Sequence, residues 1–217
     1  MRSMVTVSKM DERSIPEIST LFAAFDSTEI PELIGLRRRQ LFVCDGIQIH
    51  LYDFADQADK AALMKVKGDP RMARLSADLE PYVSPYEPET WNSPADSAAF
   101  SFYDWEDGST GDETRTDTTV TLTRMDQDAI PAVTSVFQEF DATGGAGAAG
   151  TRRRQLFAYN DLCVHIQDHV GPDGGDVARK AAAELWFGKV VEALPRLAPE
   201  GPSSDGHASR FYGWEAP

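Results

Sequence analysis

Cysteine is nearly absent from the chain. Cys44 and Cys163 are the only two, and they sit at non-equivalent places and form no metal-spaced pair. A disulfide framework is excluded, and two free thiols in a reducing cytoplasm are expected. Positive charge is also short: 21 Lys and Arg face 35 Asp and Glu, for a net charge of −14. That balance argues against nucleic acid or an anionic membrane as partner. No apolar run approaches the ~18 residues that span a bilayer, and the N-terminus has no apolar signal core. A cytoplasmic location without membrane attachment is the expectation. Apolar residues are not lacking. At 41% hydrophobic and 10% aromatic, the 217 residues can form modest cores.

What is present is present twice. Arg37-Arg38-Arg39-Gln40-Leu41-Phe42 recurs as Arg152-Arg153-Arg154-Gln155-Leu156-Phe157, and the flanking sequences align with them. Such self-similarity means two copies of one structural unit. The expected division is a first repeat over 1–108, a polar acidic linker over 109–118 and a second repeat over 119–217.

In the first copy Met4–Lys9 alternates as a strand with one buried face. Asp11 and Pro16 then suit a helix start. Ile15, Ile18, Phe22 and Phe25 form its apolar stripe, repeated as Ile130, Val133, Phe137 and Phe140. The helix ends at Asp26-Ser27-Thr28. The loop that follows becomes the glycine-rich Gly144–Gly150 in the second copy. That run lacks the Gly-Lys-Ser/Thr ending of a phosphate loop and reads as a simplified, flexible connection. Gly68-Asp69-Pro70 opens a second helix striped by Met72, Leu75, Leu79 and Tyr82. Its counterpart, striped by Phe187, Val190, Leu194 and Leu197, is expected to run unbroken from about Val177. A last strand shares Phe-Tyr-x-Trp-Glu between Phe100–Glu106 and Arg210–Glu215.

Between the helices lies a hairpin. With Asp45-Gly46 as a two-residue turn, Cys44 pairs with Ile47, Leu41 with His50 and Arg39 with Tyr52. Arg39 is then a diagonal neighbour of His50, roughly 7–8 Å away between backbones. Leu156 and Arg154 take the same places around His165. A bulge would instead bring Arg38 and Gln40 there. Alternation puts Ile47, Ile49 and Leu51 on one face and Gln48, His50 and Tyr52 on the other. The apolar face is expected against the helices, with the histidine face turned away. Arg38 and Arg153, of opposite parity, are expected in surface or helix-edge salt bridges.

Each copy therefore reads strand, helix, strand, strand, helix, strand. That is an α+β fold of two tandem ferredoxin-like βαββαβ repeats. Packing the two bare sheet faces together would enclose a pocket between them.

The stretches Phe25-Asp26-Ser27-Thr28-Glu29-Ile30-Pro31, Gly35-x-Arg-Arg-Arg-x-Leu-Phe, Ile49-His50-Leu51, Tyr82-Val83-x-Pro85-Tyr86 and Phe102-Tyr103-x-Trp105 together resemble the tetracenomycin F2 cyclase family. These are short aromatic polyketide cyclases of dimeric α+β-barrel fold, usually of one repeat. The resemblance covers nearly all of each half and makes this chain a tandem fusion. It implies aldol- or Claisen-type cyclisation of an aromatic polyketide without metal or cofactor. Carried over by motif, the family's pocket arginine, histidine and acidic residue match Arg39, His50 and Asp26, and in copy two Arg154, His165 and Asp141. The family often has histidine before that aspartate; here stand Phe25 and Phe140. Any proton transfer by that histidine is therefore missing.

The chemistry asks for a base near neutrality, which suits histidine, and a permanent cation for the oxyanion, which suits arginine. Tyr52, Gln48 and Leu41, with Gln167 and Leu156 in copy two, are expected to contact substrate. The bland alternative for Asp26 and Asp141 is a turn-forming helix end, and for His50 with Arg39 a structural polar pair bridging strands. Two other functions compete: a cofactor-free monooxygenase on the same fold, and a non-enzymatic chain-folding accessory protein. Pairing of the repeats within one chain, or across two as a homodimer, is left open. Because its entry loop is glycine-rich, the second site is expected to lose less when Arg154 and His165 are replaced than the first when Arg39 and His50 are.

Overall fold

The computed structural model describes residues 2–55, 66, 68–108, 116–148, 150–170 and 206–216. The expected second-copy helix from Val177, with Phe187, Val190, Leu194 and Leu197, lies outside the described residues, as does most of the linker. The first copy supplies β1 (Arg2–Met10), α1 (Ile15–Asp26), α2 (Ile30–Leu33), β2 (Leu36–Cys44), β3 (Ile47–Phe54), α3 (Pro70–Leu79), β4 (Val83–Pro85) and β5 (Phe100–Glu106). The second supplies β6 (Thr116–Arg124), α4 (Ile130–Ala142), α5 (Gly145–Ala148), β7 (Thr151–Tyr159), β8 (Leu162–Val170) and β9 (His207–Glu215).

The fold is α+β, and its hairpins form for the reasons their sequences suggest. Asp45 and Gly46 both adopt positive φ, 50° and 72°, as a turn matched to strand twist requires. Leu41 then opposes His50, and Arg39 opposes Tyr52. The second hairpin places Leu156 against His165 and Arg154 against Gln167. A bulge does occur in each β2-type strand, but between Leu36 and Arg38 and between Thr151 and Arg153. It precedes the site arginine and leaves its register intact.

Compact units do not follow the repeat boundaries. One unit is Met1–Ala99 with Ser209–Pro217; the other is Phe100–Ala208. The reason is an exchange of last strands. In the first unit the strand order is β4, β1, β3, β2 and then β9, which pairs with β2 from Val43 to Arg38. In the second unit β6, β8 and β7 are followed by β5, which came from the first copy. The expected fourth ferredoxin-like position beside β1 is filled by the short Val83–Pro85, not by Phe100–Glu106. Strand β6 also begins at Thr116, inside the expected linker.

The helices lie on the face opposite to the one expected. Met10, Ile18, Phe22, Leu41 and Val43 form one apolar cluster, joined by Leu75 and Leu79 of α3. Leu41 is the cross-strand partner of His50, so the histidine face is the helix-facing one. Alternation separates two faces but cannot say which meets helices when both are buried. Ile49 and Leu51, assigned to the helices by their hydrophobicity, are fully buried on the other side.

Arg38 and Arg153 do form salt bridges, as expected, but buried within the sheet and not at the surface or a helix edge. Arg38 Nε donates to Asp53 at 2.6 Å, and Arg153 Nε donates to Asp168 at 2.8 Å, with all four side chains buried. Ser3 and Thr118 donate to the same two carboxylates. The repeated pair is a strand-to-strand clamp, and removing one partner would strand a buried charge. The glycine-rich stretch is likewise not a plain loop: Gly145–Ala148 makes the same short helix as Ile30–Leu33, with Ala146 fully buried.

Candidate active site

Strand parity and the last turn of α1 bring three residues together in the first half. Arg39, on β2, is 3% exposed. Its Nε lies 3.0 Å from both carboxylate oxygens of Asp26 at the end of α1. Its Nη1 lies 2.9 Å from His50 Nε2. Arginine can only donate, so His50 Nε2 accepts, and the imidazole proton sits on Nδ1. The guanidinium also rests over Phe22, Phe25 and Tyr52 at 4.9, 5.6 and 5.2 Å from the ring centres. His50 stacks on Tyr52 at 3.6 Å and meets the edge of Phe22 at 4.9 Å. Phe25, just before Asp26, thus packs against the arginine.

These groups wall a cavity of about 1240 Å³. It lies within the first half, between the helices and the sheet, and not at a bare sheet face. Arg39, His50, Tyr52 and Gln48 line it with Thr6 and Ser8. Apolar walls come from Phe22, Phe25, Met72, Leu75 and Trp91. The volume exceeds the ~300–1,000 Å³ of ordinary small-molecule sites, enough for a multi-ring ligand. Leu41 is not on this wall; it is fully buried in the apolar cluster under α1. Leu156 likewise packs with Val133 and Phe137. Asp26 is also behind the wall, where it orients Arg39.

One participant went unread in the sequence. Tyr212, on the exchanged strand β9, donates to Asp26 Oδ2 at 2.9 Å. It opposes Leu41 in the ladder, which puts it on the helix-facing side. Tyr103 on β5 does the same in the second half, donating to Asp141 Oδ2 at 2.6 Å and opposing Leu156. Both tyrosines belong to the repeated Phe-Tyr-x-Trp-Glu. The repetition marked a strand; only the exchange shows that each tyrosine serves the other copy's aspartate.

The second constellation differs in its bonds. Arg154 Nη1 donates to Asp141 Oδ1 at 2.9 Å, and the guanidinium lies over Phe137 and Phe140. Arg154 Nε and Nη2 and His165 Nε2 have no hydrogen-bond partner among the described residues. Gln167 stands where Tyr52 stacks in the first half, its amide 3.4 Å from the Thr151 hydroxyl. The arginine, aspartate, histidine and tyrosine all recur, while the arginine-to-histidine bond does not. Among the described residues no cluster of three or more His, Cys, Asp or Glu could hold a metal, and no helix is long and apolar enough to cross a membrane.

Sequence comparison finds this same pair of halves. The polyketide synthesis cyclase family matches residues 2–106 and again residues 117–215. The chain belongs to that family, with two copies of its unit. Polyketide synthase CurG of Streptomyces cyaneus is 35% identical over 106 residues, 49% of this chain and 98% of CurG. Tetracenomycin F2 cyclase of Streptomyces glaucescens is 32% identical over 99 residues, 46% of this chain and 89% of that protein. A putative monooxygenase of Fusobacterium nucleatum shares the fold, with a TM-score of 0.59 at 9% identity over 98% of this chain and 93% of its own.

Burial sets the protonation of this cyclase-family site. His50 and His165 are held well below the ordinary 6.5, first by loss of water and then by the charge of Arg39 or Arg154. Asp26 is raised: burial outweighs the opposing pull of Arg39 and Tyr212. Tyr212 is raised by burial and by Asp26, so it stays a donor. The histidines create a pH dependence of stability. Below pH 6.5 an unfolded histidine takes up a proton that the folded one refuses. Stability therefore falls as pH drops below about 6.5, by up to ~1.4 kcal/mol per pH unit per histidine. Asp26 and Asp141, raised in the fold, act in the opposite direction at lower pH. The double variant His50→Asn with His165→Asn should flatten the decline in urea-unfolding midpoint across that window. Parallel curves for variant and wild type would contradict the assignment.

Tyr212→Phe tests the exchanged strand. It removes one of the groups that lower the Asp26 pKa, so Asp26 should protonate at a higher pH and release Arg39. We expect turnover to fall about tenfold, with the acid side of the rate profile moving up in pH, and Tyr103→Phe to leave the first site's profile in place. A uniform loss at all pH values would reduce Tyr212 to a packing residue.

Proposed function

We propose that the chain is a cofactor-independent cyclase that closes a ring of an aromatic polyketide intermediate by an aldol-type condensation, using the cavity of the first half. The observation that carries this reading is the Arg39–His50 contact on the wall of a large aromatic-lined cavity. A substrate carbonyl oxygen that accepts from Arg39 Nη1 draws this donor off His50 Nε2. The freed lone pair then takes the proton from the carbon between two carbonyls. Arg39 holds the resulting enolate oxygen. The enolate carbon attacks a third carbonyl, further along the folded chain, His50 returns its proton to the new alkoxide, and loss of water leaves the aromatic ring. Cavity walls that fix one folded shape of a flexible chain supply the rest of the rate. Asp26 and Tyr212 act as positioning residues behind Arg39.

The experiment is product analysis, by mass and absorbance, of partly cyclised polyketides incubated without oxygen and with sub-stoichiometric protein. Many turnovers to a dehydrated ring are expected. A second reading, a cofactor-free monooxygenase, is favoured by the fold shared with the Fusobacterium protein; reaction only with oxygen consumption would establish it instead. Ring closure that stops at one product per chain would point to a chain-folding accessory protein.

A further inference from the structure

We infer that the Tyr52 hydroxyl is a second donor to the enolate oxygen, so that Arg39 and Tyr52 together make a two-donor oxyanion site in the first half. This rests on the cavity being the polyketide site. Tyr52 is half-buried and lines the cavity. It stands directly across the ladder from Arg39, whose guanidinium carbon lies 5.2 Å from the centre of its ring. The tyrosine hydroxyl meets the side chains of Arg39 and Thr6. Arginine can only donate, so the tyrosine oxygen accepts from Arg39 and its own proton points elsewhere. Thr6 is the neighbour able to accept that proton. An enolate oxygen in the cavity is a charged acceptor, which makes the stronger bond and takes the proton over.

The ring is held so that this donor needs no rearrangement. It stacks on His50 at 3.6 Å, and Phe54 runs parallel to it at 6.1 Å and 10°. Loss of water raises the phenol above the usual tyrosine value, with Arg39 pulling the other way, so it stays protonated. A second donor also supplies what Arg39 alone lacks. Asp26 engages its Nε and offsets part of its charge, and His50 engages its Nη1. When His50 takes the carbon proton, the substrate oxygen meets a cation already partly neutralised. The Tyr52 hydroxyl adds a bond that the carboxylate does not offset, aimed where the charge develops. The second half has no phenol at this position. Gln167 opposes Arg154 there, its amide 3.4 Å from the Thr151 hydroxyl.

The test uses 2-naphthol, whose ionised oxygen stands in for the enolate, and follows the naphtholate absorbance of the bound ligand against pH. In wild type the bound phenol should ionise about two pH units below its value in water. Tyr52→Phe keeps the ring stack and should give back about one unit of that shift, roughly a tenfold loss of naphtholate binding. Naphthalene, which has no oxygen, should bind the variant and wild type alike. The pair Arg39→Met with Asp26→Asn should lose most of the shift. If naphthalene binding falls in Tyr52→Phe as much as naphtholate binding does, Tyr52 is a packing residue and the inference is overturned. An ionisation unmoved by Tyr52→Phe, while the Arg39 variant still loses the shift, also overturns it and leaves the cavity reading in place. Naphthol that wild type does not bind, or binds with its ionisation unchanged from water, overturns both.

Discussion

Replacing Arg39 with methionine should lower turnover by about 10²–10³-fold, the cost of removing one preorganised oxyanion donor. It should also destabilise the fold by about 3–5 kcal/mol, because Asp26 would be left as a buried carboxylate without its cation. The two losses have separate remedies. Adding Asp26→Asn removes the stranded charge, so urea unfolding should recover most of the stability while turnover stays low. Arg39 is the most connected group of the site, touching Asp26 at 3.0 Å, His50 at 2.9 Å and three aromatic rings. Full turnover in Arg39→Met would remove the proposed mechanism, and unchanged stability would mean that Asp26 carries no charge in the wild type.

His50→Asn should reduce turnover by about 10²–10⁴-fold, the usual contribution of a general base. The wild-type pH profile is the sharper measurement. Burial and the Arg39 charge hold His50 well below 6.5, and the base works only when neutral. Activity should therefore persist through pH 6.5 and decline only on the acid side of it. A decline centred at or above 6.5 would mean that the titrating base is another group. In Arg39→Met the residual activity should decline at higher pH than in wild type, since the cation's electrostatic push on His50 is gone.

Much of the site was legible from the chain alone, because hairpin geometry is local. Asp45-Gly46 dictates a tight turn, the turn dictates the register, and the register puts Arg39 beside His50. The duplicated Arg-Arg-Arg-Gln-Leu-Phe therefore resolved into alternating roles. The third arginine enters the site; for the second, parity predicts only a salt bridge at the surface or a helix edge, because it says nothing of what lies beyond the sheet. Asp53 and Asp168, buried across the ladder, take up Arg38 and Arg153.

Other features depend on contacts between residues distant in the chain. Which sheet face meets the helices was decided by the packing of Leu41, Val43 and Met10 under α1, since both faces are buried. The exchange of β5 and β9 is not written in any local pattern: an amphipathic strand specifies that it must pair, but not with which edge. That exchange delivers Tyr212 to Asp26 and Tyr103 to Asp141. Sequence by itself determined two copies of one α+β unit, the hairpin register and the arginine–histidine neighbourhood, because turn chemistry and alternation act over a few residues. Tertiary structure alone decided the face, the cavity and the partner strand, because those follow from which buried surfaces meet.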